Sequence, residues 1–216
     1  MAGVGDAAGA ALDAVLLDQA LALAEAEGWE EVRLSRVAER AGVPLAEVGR
    51  RFRDVDAIAN AWFGRARLAM LEVPAEELRG LPADERLARV IGRWLDALAA
   101  HRRITGEMLR AKLHLGHPHH WVPMIFDLSR LVHDLLDAAL IQGRGRLRQA
   151  EEIGLTLIVL GTLRDWLRDE GPGQERSKAR LRRRLRRSDR MLACRGRAGG
   201  RGRRGPAPPS PGQDAG

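Results

Sequence analysis

The chain has no tyrosine, one cysteine and no uninterrupted apolar run of membrane-spanning length. A lone thiol, Cys194, cannot build an intrachain disulfide framework or a cysteine-based zinc site, so a reducing cytoplasm is the expected setting. The longest apolar run, Ile153 to Leu163, is about half of the ~20 residues that a spanning helix needs, and a soluble protein is expected. The opening MAGVGDAAGA has no basic cluster ahead of an apolar core and is not expected to be a signal peptide. Catalytic signatures are missing too: there is no Gly-x-Ser-x-Gly elbow, no phosphate-cradling glycine loop and no His-Glu-x-x-His pair. No enzymatic activity and no cofactor are expected.

What is present is globular. Hydrophobic residues make up 45% and charged residues 30% of 216 positions, enough for one sizeable core or two smaller ones. The net charge of +7 is unevenly placed. From Gly171 to Gly216 there are 14 Lys+Arg against 3 Asp+Glu, an excess of +11, which leaves 22 against 26, or −4, for residues 1 to 170. Nucleic-acid binding therefore has to be argued from local clusters and not from the total.

One such cluster lies in RLSRVAERAGVPLAEVGRRF, Arg33 to Phe52. Leu34, Val37, Ala38 and Ala41 recur at the spacing of one buried helical face. Gly42 interrupts it with the residue best suited to a left-handed turn, and Pro44 suits the first turn of a second helix. Leu45, Val48 and Phe52 give that helix an apolar stripe of its own. Two short helices joined through glycine form a helix-turn-helix, whose second helix can lie in the major groove of DNA. The local cations are Arg33, Arg36, Arg40, Arg50, Arg51 and Arg53.

These residues resemble the TetR family of transcriptional regulators. Gly28-Trp29, Arg33-Leu34, Val37-Ala38, Ala41-Gly42-Val43-Pro44 and Val48 through Phe52 stand where the family carries its first-helix end, its helix-turn-helix core and its closing aromatic. Val48-Gly49-Arg50-Arg51-Phe52 replaces the family's Leu-Tyr-x-His-Phe, and Val55 replaces a lysine that touches phosphate. The resemblance implies a homodimer on a palindromic site in double-stranded DNA, its recognition helices spanning major grooves about 34 Å apart. It also implies a repressor that responds to a small apolar ligand. Leu45, Ala46 and Arg50 are the candidates for base edges, and Arg36, Arg51 and Arg53 for phosphates.

The rest of the sequence predicts helices throughout, making the fold all-α: a three-helix helix-turn-helix domain over 11–54, preceded by a flexible arm over 1–10, and a helical ligand-binding and dimerisation domain over 55–193. Residues 194–216, rich in Arg, Gly and Pro, are expected to be disordered. Asp54 is placed to cap a helix carrying Ile58, Trp62, Ala66 and Ala69, and a further helix begins near Pro82. HLGHPHHW breaks the helical pattern and contains His114, His117, His119 and His120. No carboxylate or further histidine pair stands nearby at ligand spacing, so a polar loop is expected there and no metal site. Trp62, Trp94, Phe126 and Trp166 are candidates for lining an apolar cavity between helices, although ordinary core packing accounts for each equally well.

Ile153 to Leu163 is apolar on every side of its helix, which calls for cover from its own domain on one face and from a second subunit on the other. Gly154 and Gly161 would share a face and permit close helix approach. Residues 174–193 place Leu181, Leu185, Ser188 and Leu192 on one stripe amid arginines, a basic amphipathic helix expected to meet anionic surfaces without sequence preference, whether nucleic acid or a membrane surface. In this layout the late segment is similar to the TetR-fold lipid-binding proteins of ubiquinone biosynthesis, which implies, as the alternative to a regulator, an accessory protein without specific DNA binding.

Overall fold

Alanine is the strongest helix former, and the alanine-rich start of the chain joins the first helix instead of forming an arm. The computed structural model describes residues 3–112, 121–141 and 146–200, with side chains described over 7–112, 128–141 and 152–188. Helix α1 runs Gly3–Glu27, which corrects the flexible-arm reading for residues 3–10. By length and composition its segment Ala7–Glu27 would also pass as a membrane span, a correction to the expectation that no segment is long and apolar enough. Its stripe of Leu16, Leu17, Ala20, Leu21, Leu23 and Ala24 is instead buried within the fold.

A left-handed Gly28 and a 3-10 turn, Trp29–Glu31, lead into α2, Leu34–Ala41. Gly42 follows at φ 67° and ψ 28°, and its amide and that of Val43 close on the carbonyls of Glu39 and Ala38. This arrangement satisfies acceptors that a helix end would leave open. Helix α3, Leu45–Arg51, begins one residue later than expected, with Pro44 as its N-cap. Val37 and Val48 are fully buried between the two helices, and Phe52 closes the unit.

Helix α4, Val55–Leu71, leaves this unit through an Asp54 cap whose carboxylate accepts from the Ala57 amide at 2.8 Å. Ile58, Trp62, Ala66 and Met70 face inward. The Pro74 and Pro82 breaks enclose a one-turn helix, α5, Ala75–Leu78, before α6, Ala83–Ala99. Helix α6 is the centre of the larger domain: Val90, Ile91, Trp94, Leu95 and Leu98 are buried, and it packs on α4, α8 and α10. Helices α7, Arg102–Lys112, α8, Trp121–Ala138, and α9, Arg146–Leu167, follow. The histidine loop, 113–120, lies outside the described residues, as do the turn at 142–145 and the Phe126 side chain. No strand occurs among the described residues.

The two faces of α9 differ. Leu155, Val159, Thr162 and Trp166 are buried, whereas Ile153, Leu157 and Leu160 are 62%, 66% and 44% exposed. One apolar stripe of this helix is therefore uncovered by its own chain. The two glycines do not act as a pair: a Cβ at Gly154 would meet nothing, whereas one at Gly161 would lie 3.4 Å from the Arg184 guanidinium of the next helix.

That helix, α10, spans Glu175–Gly200, so helix continues through residues 194–200, which the composition assigned to a disordered tail. Residues 201–216 lie outside the described residues. Leu181 and Leu185 are 1% and 3% exposed, packed where α10 meets α6 and α9. Ion pairs of Lys178 with Asp96 (2.8 Å) and Arg184 with Asp165 (2.7 Å) hold the same seam. The membrane-surface role expected of this helix gains no support here, because Leu181 and Leu185 are spent on the core; the Leu192 side chain lies outside the described residues.

At Gly42 the positive φ is the sole obstacle to a side chain, since a Cβ would meet nothing within 4 Å. Gly42→Ala should cost about 1–2 kcal/mol in urea unfolding, the strain of a left-handed residue. Gly49→Ala, in open helix, should instead leave stability unchanged or raise it by up to ~1 kcal/mol. Equal effects would contradict the backbone argument.

Candidate nucleic-acid interface

Helix α3 turns Val48 inward and Leu45, Ala46, Gly49 and Arg50 outward, with Leu45 51% exposed. A large apolar residue half in water at the first helical position is poor packing but is suited to contact with a base edge or a thymine methyl. Ala46 and Gly49 leave the middle of the face nearly bare, so a groove floor can come close to the backbone. Leu45 thus departs from the buried stripe in which the periodicity places it, and joins the outward face.

The cations around α3 are held by carboxylates to different degrees. Glu47 receives hydrogen bonds from both Arg50 and Arg51. Arg51 also reaches Asp13 of α1 at 2.8 Å, and its side chain is only 22% exposed. Arg51, expected to touch phosphate, serves in the structure as a tether between α3 and α1. Arg36 is held by Glu27 through two hydrogen bonds of 2.6 and 2.7 Å. Arg53 is 89% exposed beside Asp54, and Arg33 donates to the carbonyls of Glu30 and Val32. Arg40, on the exposed side of α2, makes no ion pair with the described residues, which leaves its charge available.

The partners Glu47, Asp13 and Glu27 were not among the sequence candidates. Glu47 was legible, because it stands three and four residues before Arg50 and Arg51. Asp13 and Glu27 were not, since only the fold brings α1 to α3 and α2. The hydrogen bond from Arg50 holds the Glu47 carboxyl below the usual carboxylate range, and that from Arg36 does the same for Glu27.

A polar seam joins this unit to the larger domain. Helix α7 donates from Arg103 to the Glu25 carbonyl at 2.7 Å and accepts, through Glu107, from the Trp29 amide at 2.8 Å. The His101 ring nitrogen lies 3.0 Å from the Glu25 carboxylate. Trp62 belongs to this seam. Its indole N–H donates to Thr105 at 2.9 Å, and its ring meets His101 edge-on at 5.3 Å between centroids. At the far end of α7, Lys112 pairs with Asp56 and donates to Asn60 of α4 at 2.9 Å.

The three tryptophans among the cavity candidates are buried. Trp62, Trp94 and Trp166 are 3%, 4% and 0% exposed, on α4, α6 and α9 respectively, and the Trp166 indole nitrogen has no hydrogen-bond partner. Two clefts beside α10, of about 490 Å³ at the α9–α10 turn and about 280 Å³ between α5, α6 and α10, are lined by none of them. Among the described residues no group of three or more His, Cys, Asp or Glu is placed to hold a metal ion.

Comparison with known proteins places this geometry. No family model and no curated protein matches the sequence. Among solved structures, the chain is similar to a TetR transcriptional regulator from Nitrosomonas europaea, at 34% identity and TM-score 0.70, covering 84% of this chain and 98% of that one. A TetR transcriptional regulator from a Rhodococcus species shares the fold at 18% identity and TM-score 0.59, covering 83% and 93%. The multidrug binding protein EbrR, solved with imidazole, shares it at 24% identity and TM-score 0.51, covering 78% and 87%.

Because Glu27 and Glu47 titrate lower in the folded chain than unfolded, their ion pairs stabilise it above the ordinary glutamate range, and that contribution fades as pH falls through the depressed values. Urea midpoints should therefore decline between about pH 5 and about pH 3. Glu47→Gln should flatten part of that decline. An unaltered pH profile in the variant would exclude Glu47 as a source.

Proposed function

The chain belongs to the TetR family of transcriptional regulators, and from this premise we propose that it is a cytoplasmic, homodimeric, ligand-responsive repressor that reads a palindromic operator through α3. The observation carrying this reading is the outward face of α3, where Leu45, Ala46, Gly49 and Arg50 lie bare on a helix fixed from behind by Val48 and Phe52. Base-edge contact falls to Leu45, Ala46 and Arg50. Phosphate contact falls to Arg36, Arg53 and Arg40, with Arg51 positioning α3 from its α1 side.

Dimerisation is supported by the uncovered stripe of Ile153, Leu157 and Leu160, which faces away from the chain's own core. Pairing α9, together with α8, across a two-fold axis would bury these side chains and set the spacing of the recognition helices. Ligand response is supported by α7, which is bonded at one end to α1 and at the other to α4, so that a shift of α4 must move the helix-turn-helix unit. Trp166 offers a buried, unpartnered donor that an otherwise apolar ligand with one acceptor would satisfy. Trp62, Trp94 and Phe126 complete the ligand-binding candidates. Catalysis and cofactors have no place in this reading.

An arginine at Leu157 should dissociate the dimer without unfolding the chain, because the side chain is 66% exposed in the single subunit. Sedimentation should show a wild-type dimer and a Leu157→Arg monomer at micromolar concentration. A monomeric wild type would remove the basis for palindromic reading. Selection of genomic fragments by the purified protein should enrich a palindromic site. Arg50→Ala should then cost ~1–3 kcal/mol of discrimination, Arg40→Ala should lower the salt slope by about one unit, and Arg51→Ala should reduce thermal stability together with binding. An enriched site indifferent to Arg50 and Arg40 alike would sink the assignment of α3 as reader.

A further inference from the structure

Helix α10 concentrates charge on a surface that operator reading does not use. Between Glu175 and Gly200 there are eleven Lys+Arg and two Asp+Glu. The inward members are matched: Lys178 pairs with Asp96, and Arg180 and Arg184 both pair with Asp165. Of the outward ones, only Arg186 meets a carboxylate. Arg182, Arg183 and Arg187 are exposed and make no ion pair with the described residues, and Arg186 reaches only Glu85, at 3.5 Å, with its side chain 52% exposed. Together with Ala179 these four guanidinium groups frame one shallow groove of about 420 Å³ on the outer side of the helix.

The spacing suits one kind of partner. Residues 182 to 187 rise about 7.5 Å along a helix axis and carry four cations, while duplex DNA presents about four phosphate charges over the same length. Four like charges in a row repel one another, and among the described residues only Glu85, beside Arg186, offsets any of them. A lipid surface fits less well, because binding in a bilayer interface needs apolar side chains beside the basic ones. Here Leu181 and Leu185 point into the core at 1% and 3% exposure, and the groove is lined by arginine and one alanine. Arginine forks match phosphate oxygens, and a face without apolar residues binds through those contacts alone.

We infer that the outer face of α10, through Arg182, Arg183, Arg186 and Arg187, is a second DNA-binding surface that grips the phosphate backbone without regard to sequence. It packs on α6 and α9 and not on the helix-turn-helix unit, so it engages duplex apart from the segment read by α3. It stands whether or not α3 reads an operator.

The test is fluorescence anisotropy on a short duplex of arbitrary sequence, titrated at several salt concentrations. The full chain is compared with the quadruple variant Arg182→Gln, Arg183→Gln, Arg186→Gln and Arg187→Gln, with circular dichroism as the folding check. The slope of log affinity against log salt should fall by about 3–4 units, at about 0.9 per phosphate released. Should the quadruple variant misfold, Arg183→Gln with Arg187→Gln, neither of them ion-paired, should lower the slope by about 2 units. Arg40→Gln with Arg50→Gln on the helix-turn-helix unit should leave the α10 contribution in place. A folded α10 variant with the wild-type slope would overturn the inference. So would phosphatidylglycerol vesicles that bind the wild type more tightly than duplex at equal salt and lose that binding in the same variant.

Discussion

A helix of seven residues cannot hold itself together in water, because nucleation costs more than so few hydrogen bonds return. Helix α3 exists because Val48 and Phe52 are buried against its neighbours and because Arg51 is fastened to Asp13 of α1. The function assigned to it depends on that constraint. With its inner side fixed, the outer side is free to carry residues that stabilise nothing. Leu45, Ala46 and Gly49 are of that kind, and an outward leucine backed by alanine and glycine is surface suited to being covered.

The same logic extends to the joint between the two domains. Helix α7 contributes Ile104 and Met108 to the core, yet its polar residues are directed toward the end of α1 and the start of α4. The terminal carbonyls of α1 accept from Arg103, the amide of Trp29 donates to Glu107, and Trp62 is fixed by Thr105. Bonds of this type are directional in a way that apolar packing is not. Such bonds fix the orientation of α7 against both α1 and α4 more tightly than apolar packing alone would.

Charge is distributed by the same division of inner and outer faces. Around α3 most arginines meet a carboxylate, which brings that surface close to neutral. Along α10 the inward cations are matched by Asp96 and Asp165, and Arg182, Arg183 and Arg187 on the outer side make no ion pair with the described residues. An overall excess of +7 thus describes neither surface.

The sequence by itself determined the local features. Gly42 at a helix end, Asp54 before a helical stripe, the Pro74 and Pro82 breaks and the period of Ile91, Trp94, Leu95 and Leu98 each act within a few residues, and all appear in the structure. The all-round apolar character of Ile153 to Leu163 likewise required cover on two sides. Tertiary structure decided what depended on residues far apart in the chain. Composition suggested an arm where Gly3 onward is helix, because a glycine count does not register the pull of following alanines. Periodicity placed Leu45 with Val48, and only the packing of α3 on α1 and α2 shows which one faces out. Leu181 and Leu185 form the same stripe whether a helix meets a membrane or a protein core, and it is α6 and α9, brought there by the fold, that claim them. Trp62 and Trp166 could not be told apart as ligand wall or core, since burial belongs to neighbours that no short window of sequence contains.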